Sequence, residues 1–242
     1  MPDLVVITPS RDRPRQLNEL AHAVRQTTSG RAEVLGLVDF DDPQRAAYKA
    51  LPCRIWTGTR RSLSGWTNYA ARYLLHPEND ADDTAPRYLA SLGDDHRPRT
   101  ADWDLRLIEA IEANRAPGWA YGNDLFAGPA LPTAWVVSAE LVHALGWLML
   151  PGCEHMYVDN AVKALGEATG RLAYVPDVVI EHVHPLAGKA SWDESYRASN
   201  SEQRYAADGA AFEAWRYGDG FLRDVAVVMA NDPGRRERLA VG

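Results

Sequence analysis

The sequence predicts an α/β protein, a mixed and mainly parallel sheet flanked by helices, with a helical extension at its C-terminal end. Three observations carry that expectation. Residues 4–39 read strand, helix, strand, a βαβ unit whose right-handed crossover makes the two strands parallel neighbours. A later apolar run, Tyr88 to Leu92, has the length of a buried strand and breaks at Gly93 into Asp94, Asp95 and His96. From Ser191 onward the pattern turns helical, with Trp192, Tyr196, Tyr205, Phe212, Trp215 and Phe221 as packing residues.

Leu4-Val5-Val6-Ile7-Thr8, ending at Pro9, is a β-branched first strand. Ser10 to Pro14 make a polar turn. Leu17, Leu20, Ala21 and Val24 then fall at helical spacing, with Gly30 as the stop. Val34 to Asp39 form the second strand, with Asp41 and Asp42 just beyond. Arg54 to Thr57 suit a third short strand, Gly58 to Gly65 a loop, and Asn68 to Leu75 a helix. Glu78 to Thr84 is an acidic surface loop. After the Arg87–Leu92 strand and its acidic turn, Trp103, Leu107, Ile108 and Ile111 share one helical face. Trp119 to Tyr121 and Thr133 to Ser138 are expected as strands. Ala139 to Leu145 and Tyr157 to Leu165 are expected as helices, the second stopped by Gly170. Leu172 to Val175 and Val178 to Glu181 are β-rich and lead into His182-Val183-His184-Pro185. One domain is therefore expected over residues 1–185, with an extension, 186–242, packed on it and ending in a frayed tail from Asn231.

Composition narrows the function. A chain of 242 residues with 46% hydrophobic and 24% charged residues has the makeup of an ordinary soluble globular protein. A net charge of -7 argues against affinity built mainly on nucleic-acid phosphates, although Arg11, Arg13, Arg15, Arg60, Arg61, Arg97 and Arg99 are candidates for a local basic patch. Cys53 and Cys153 stand alone and far apart, which suits a reducing compartment and neither a disulfide scaffold nor a zinc site. No leader-like or membrane-spanning stretch is present, so a cytoplasmic protein without membrane insertion is expected.

Polar chemistry collects at strand and turn ends. Adjacent acids such as Asp94 and Asp95 repel unless a cation or hydrogen-bond donors hold them. At the carboxyl end of a buried strand they lie where open α/β sheets bind ligands. Hard divalent ions are held by one or two carboxylates together with substrate phosphates. That makes a metal and nucleotide-diphosphate site one reading, and a solvated turn in which Asp94 caps the next segment the other. Asp159 opens a helix, as a general base or as an N-cap. His182 and His184 alternate on a strand and share a face, as a metal pair or as structural histidines.

In their order along the chain, Thr8-Pro9-Ser10-Arg11, Asp39, Asp94-Asp95 and His182/His184 resemble the GT-A (Rossmann-like) glycosyltransferases, particularly inverting family-2-like members. The resemblance covers roughly the first three-quarters of the chain. Its strongest piece runs from Gly146-Trp147 to Val175-Pro176, where Asp159 falls on the second acid of the family's Glu-Asp pair and Val158 replaces the first. The resemblance implies that Thr8, Pro9, Ser10 and Arg11 lie beside the base and ribose of a nucleoside-diphosphate sugar, that Asp39 binds uracil or ribose, and that the Arg61 to Asn68 segment closes over the nucleotide. Asp95 matches the last acid of the Asp-x-Asp motif, the ligand for Mn²⁺ or Mg²⁺, while Gly93 stands where the first acid usually is. Asp94 is left to the ribose or the metal, His182 or His184 to a further metal ligand, and Lys189 to the diphosphate. Asp159 becomes the general base, and Asn123, Asp124 and Trp135 fall where the family builds acceptor pockets.

The implied activity is transfer of a sugar from a UDP-linked donor to an acceptor hydroxyl with inversion. The acceptor is left open among a small molecule, a protein and a modified DNA base. Two alternatives compete. A sugar nucleotidyltransferase needs a glycine-rich loop after the first strand, where this chain has Pro9-Ser10-Arg11-Asp12-Arg13. A nucleotide-sugar-binding protein without chemistry is favoured by Gly93 and Val158. The Ser191 to Ala230 helices are expected to cover the acceptor site or to form a homodimer contact.

Overall fold

A computed structural model describes residues 3–76, 78, 85–114 and 116–231. Most of the expected acidic loop (79–84) and the tail from 232 lie outside the described residues. The strands are β1 (Leu4–Pro9), β2 (Ala32–Asp39), β3 (Arg54–Gly58), β4 (Tyr88–Ser91), β5 (His96–Pro98), β6 (Trp119–Asn123), β7 (Trp135–Ser138) and β8 (Leu172–His182). They form one sheet in the order β3-β2-β1-β4-β7-β6-β8-β5. β1 pairs in parallel with both β2 and β4, β2 with β3, and β6 with β8. The β4–β7, β6–β7 and β5–β8 pairs are antiparallel.

Alternation along β1 explains why the sheet is covered on both faces. Val5 and Ile7 enter one apolar cluster, Leu4 and Val6 the other, and all four are fully buried. One cover holds α1 (Pro14–Thr27) and α4 (Trp103–Ala113), whose Trp103, Leu107, Ile108 and Ile111 are buried as the helical spacing requires. The other is built from α3 (Leu63–Leu74), α5 (Ala139–Leu145) and α6 (Val158–Thr169). A short α2 (Arg45–Tyr48) follows β2. The C-terminal residues form α7 (Glu194–Ser199), α8 (Glu202–Arg216) and α9 (Asp219–Ala230). Trp215, Phe221 and Val228 from α8 and α9 enter the same cluster as α5 and α6.

Three departures from the sequence expectation shape the site. α3 begins at Leu63, inside the stretch expected as loop, because the Ser62 hydroxyl accepts from the Gly65 amide as an N-cap. β8 is one strand where two were expected. Its register jumps between the Gly122–Val175 and Asn123–Val179 pairs, an irregularity that Pro176, Asp177 and Val178 occupy. Gly122 makes room for it, since a Cβ there would sit 2.3 Å from the Val178 carbonyl oxygen. Finally, β5 follows the acidic turn and pairs His96 with His182. That pairing delivers the late histidines to the acids.

Candidate active site

The ends of β1, β2, β4 and β8 open on a cavity of about 700 Å³, within the range of small-molecule sites. Asp94 and Asp95 are both buried beside it, and each has separate partners. Asp94 accepts from the Ser10 hydroxyl at 2.7 Å and pairs with Arg13 at 2.9 Å. It thereby ties the turn after β1 to the turn after β4. Asp95 faces the other way. Its Oδ2 accepts from the Tyr196 hydroxyl at 2.9 Å and lies 3.4 Å from His182 Nε2, while its Oδ1 lies 3.3 Å from His96 Nδ1. Burial would raise the Asp95 carboxyl, but His182 and His96 outweigh it and hold it well below the usual carboxylate range.

Gly93 is explained by the same geometry. A Cβ on it would lie 2.5 Å from Asp95 Oδ1 and 3.1 Å from His96 Nδ1. A side chain at this position is excluded because Asp95 folds back into that volume.

The imidazoles are ordered by a chain of hydrogen bonds. His96 Nδ1 accepts from the Gly93 amide at 3.0 Å, leaving its Nε2 toward the Thr133 hydroxyl at 3.5 Å. Thr133 in turn donates to Asp124 Oδ2 at 2.8 Å. His96 stacks on His182 with ring centroids 4.2 Å apart. His182 Nδ1 is buried without a hydrogen-bond partner, 4.0 Å from Asp124 Oδ2. His184 sits beside Tyr196 and Phe126, and its Nδ1 accepts from the Leu186 amide. Burial, then the neighbouring His182, push its pKa down to about 4.

These residues fit a divalent ion. One ligand atom each from Asp95, His182 and His184 lies within 4.8 Å of the others. A carboxylate oxygen with imidazole nitrogens is a donor set for a first-row divalent ion, and a neutral imidazole, as burial makes His184, is the ligating form. His182 Nδ1, unpartnered and 4.0 Å from Asp124 Oδ2, is on the side from which a carboxylate would orient the imidazole if its other nitrogen held the ion.

Asp159, in the first turn of α6, lines the same cavity. Tyr157 precedes the helix in a left-handed conformation (φ 63°), and Val158 packs into the core. Burial holds the Asp159 carboxyl above its ordinary range, against the Asn160 amide and the charge of His182. At the opposite end, Asp39 is buried. Its Oδ1 accepts from the Trp66 indole at 2.6 Å and the Arg61 amide at 3.3 Å, and its Oδ2 from Arg11 at 3.0 Å. The Arg61 guanidinium lies over the Tyr69 ring at 4.5 Å.

Of the residues expected from sequence, the structure brings Pro9, Ser10, Arg11, Asp39, Arg61, Asp94, Asp95, Trp135, Asp159, His182 and His184 to one cavity. Five others are spent elsewhere. Thr8 is fully buried and donates to the Leu92 carbonyl, joining β1 to the end of β4. The Asn68 side chain holds the backbone of Leu148 and Met149. Lys189 pairs with Glu181 at 2.8 Å. Asn123 closes its own turn by accepting from the Leu125 amide. Asp124 is buried behind His182, where its Oδ1 accepts from the amides of Phe126, Ala127 and Gly128. In each case a backbone partner or a nearby ion pair claims the polar group. Arg13, His96, His155 and Tyr196 reach the site without having been expected as site residues. Only His96 had a signal, its place next to the acidic pair.

No protein-family model matches the chain, and no curated protein matches it in sequence. Solved structures do match its fold. A mannosyltransferase from Pyrobaculum calidifontis, in complex with GDP-Man and Mn²⁺, is 14% identical with a TM-score of 0.56, covering 96% of this chain and 88% of its own. Glucosyl-3-phosphoglycerate synthase from Mycobacterium tuberculosis, in complex with Mn²⁺, UDP-glucose and glycerol 3-phosphate, is 12% identical with a TM-score of 0.59 over 89% of this chain and 80% of its own. S. aureus TarS in complex with UDP-GlcNAc is 11% identical with a TM-score of 0.51 over 90% and 74%. The chain has the GT-A fold of these glycosyltransferases. Among the described residues, no helix is long and apolar enough to cross a membrane.

Proposed function

We propose that this chain is a metal-assisted glycosyltransferase that takes a UDP-linked sugar and passes it, with inversion, to an acceptor hydroxyl. The observation that carries the reading is the convergence of Asp95, His182 and His184 on one point of a cavity that also holds Asp39 and Asp159. The neighbours' complexes with nucleotide sugars and Mn²⁺ support it.

Asp39, kept in place by Trp66 and Arg61, presents a carboxylate to the nucleoside, with Arg11 bridging it to Asp41. Asp95 and His182 would hold Mn²⁺, with His184 beside them. The ion supplies positive charge to the diphosphate leaving group. Asp159 takes the proton of the acceptor hydroxyl as its oxygen attacks the anomeric carbon. A single displacement from the face opposite the leaving group inverts that carbon. Hydrolysis of UDP-sugars measured with and without Mn²⁺, and again in Asp159→Asn, tests the reading. Turnover that needs Mn²⁺ and falls in the variant is expected. Turnover indifferent to both changes overturns it.

A further inference from the structure

Sheet order divides the cavity into two halves. β3, β2 and β1 carry the nucleotide end around Asp39, and β4 carries the acids at the centre. β7, β6 and β8 carry the far end, with Phe126, Leu131 and Thr133 from the β6–β7 connection facing the loop that leads to Asp159. Charge is split in the same way. The arginines lining the cavity, Arg11, Arg13, Arg60 and Arg61, all come from the segments after β1 and β3. Arg13 is already held between Asp94 and Asp193. Imidazoles apart, the far half offers no cation among its described lining residues, and its charged side chain is Asp159; Glu194 belongs to α7, whose Tyr196 lies under the Arg13 guanidinium.

The far half is instead apolar and open to solvent. Phe126, Leu186 and Tyr205 line the cavity and are 49%, 58% and 41% exposed. Large apolar side chains left in water around a cavity mark a place where a ligand covers them. Phe126 is steadied from behind, edge-on to His182 and stacked on His184.

We infer that this half binds an uncharged acceptor alcohol that offers a ring face to Phe126, and that it rejects phosphorylated or carboxylated acceptors. The inference rests on the glycosyltransferase reading and narrows its acceptor. An anionic acceptor would meet the Asp159 carboxylate and no guanidinium there, which costs binding on both counts. The neighbour bound to glycerol 3-phosphate shares the fold but does not lend this chain its acceptor. In the transfer, the acceptor oxygen forms the new bond to the anomeric carbon and its proton passes to Asp159. The sugar–phosphate bond breaks, and its electron pair leaves with the diphosphate.

The test uses the full chain saturated with UDP and Mn²⁺, titrated with a panel of neutral phenyl glycosides and with 3-phosphoglycerate, binding being followed by saturation-transfer NMR and calorimetry. At least one glycoside is expected to bind about tenfold more tightly than 3-phosphoglycerate, competition by methyl glycosides or by benzyl alcohol showing whether sugar or aryl ring seats on Phe126. Phe126→Ala should weaken that glycoside about fivefold, and Phe126→Tyr should restore it. Bound UDP with no glycoside binding, with preferred 3-phosphoglycerate, or with Phe126→Ala indistinguishable from the parent overturns the acceptor assignment alone. Failure of UDP to bind overturns it together with the donor reading.

Discussion

Gly93→Ala is the sharpest perturbation of the metal end. The added methyl would stand 2.5 Å from Asp95 Oδ1, where 3.4–4 Å is ordinary contact, so the carboxylate must move by about 1 Å. It has little freedom to do so, because Tyr196, His182 and His96 all lie within 3.4 Å of it. Forcing an extra carbon into a packed site costs about 1–3 kcal/mol. A displacement that breaks the Tyr196 bond to a charged oxygen falls in the same range. Taking about 2 kcal/mol for the whole, a chain of this size should melt about 4–8 °C lower. Loss of the oriented carboxylate should also weaken Mn²⁺ about 10–100-fold. Thermal melts followed by circular dichroism, and a Mn²⁺ titration read by electron paramagnetic resonance, measure the two effects. Gly93→Asp should be worse than Ala because it adds a third carboxylate. An alanine variant with the parent's melting temperature and Mn²⁺ affinity would refute the packing account of Gly93.

Tyr196→Phe removes one hydrogen bond to Asp95 while keeping the ring under Arg13. It should destabilise the metal-free protein by about 1.5–3 kcal/mol, and an unchanged melting temperature would show that the bond carries nothing. Asp208 is buried and its carboxylate accepts from the amides of Glu154, His155 and Met156. Burial raises its carboxyl, but those amides and Arg204 outweigh it and the net shift is downward. A depressed carboxyl contributes stability that is full above its unfolded pKa and lost as pH falls through the folded one. Denaturant melts should therefore steepen in their acid dependence below about pH 4, and Asp208→Asn should flatten that limb at a cost of about 1–3 kcal/mol near neutrality. For Asp159 the sign reverses, since burial raises its carboxyl. Transfer should lose activity on acidification at a pH above the ordinary aspartate range. Asp159→Asn should fall about 10²–10⁴-fold and lack that limb, and an acid limb that survives in the variant would assign it to another group.

How much of this was legible in the sequence depends on how local the determining contacts are. The βαβ unit could be read because β1 and β2 are buried on both faces and leave continuous apolar runs. β5 could not, since it has three residues, one of them Pro98, and exists because β8 offers an edge. Asp95 and Asp159 were visible through their places at a strand end and a helix start. Thr8, Asn68 and Lys189 carry equally suitable groups; the distant partners Leu92 and Met149 claim the first two, and Glu181, across the turn after β8, pairs with the third. Arg13 and Tyr196 failed for the opposite reason. Each looks like surface or core until α7 folds over the acidic turn and stacks one on the other at 4.1 Å.

The two departures from the family pattern, Gly93 and Val158, were the features that favoured a protein that binds but does not react. Both have a packing cause. Gly93 is required by the inward fold of Asp95, so the missing acid reflects a rearranged turn whose surviving carboxylate still meets two imidazoles. Val158 is only 6% exposed and joins the cluster that seats α6. A glutamate there would give up the contacts Val158 makes in that cluster, which α6 keeps by carrying its acid one residue on. Asp159 then reaches the cavity because Tyr157 takes the left-handed turn. Asp124, behind His182, is fixed by three amides and a hydroxyl. That places a buried, fully held carboxylate 4.0 Å from the unpartnered Nδ1 of His182, where it would orient the imidazole once an ion is bound at the other nitrogen.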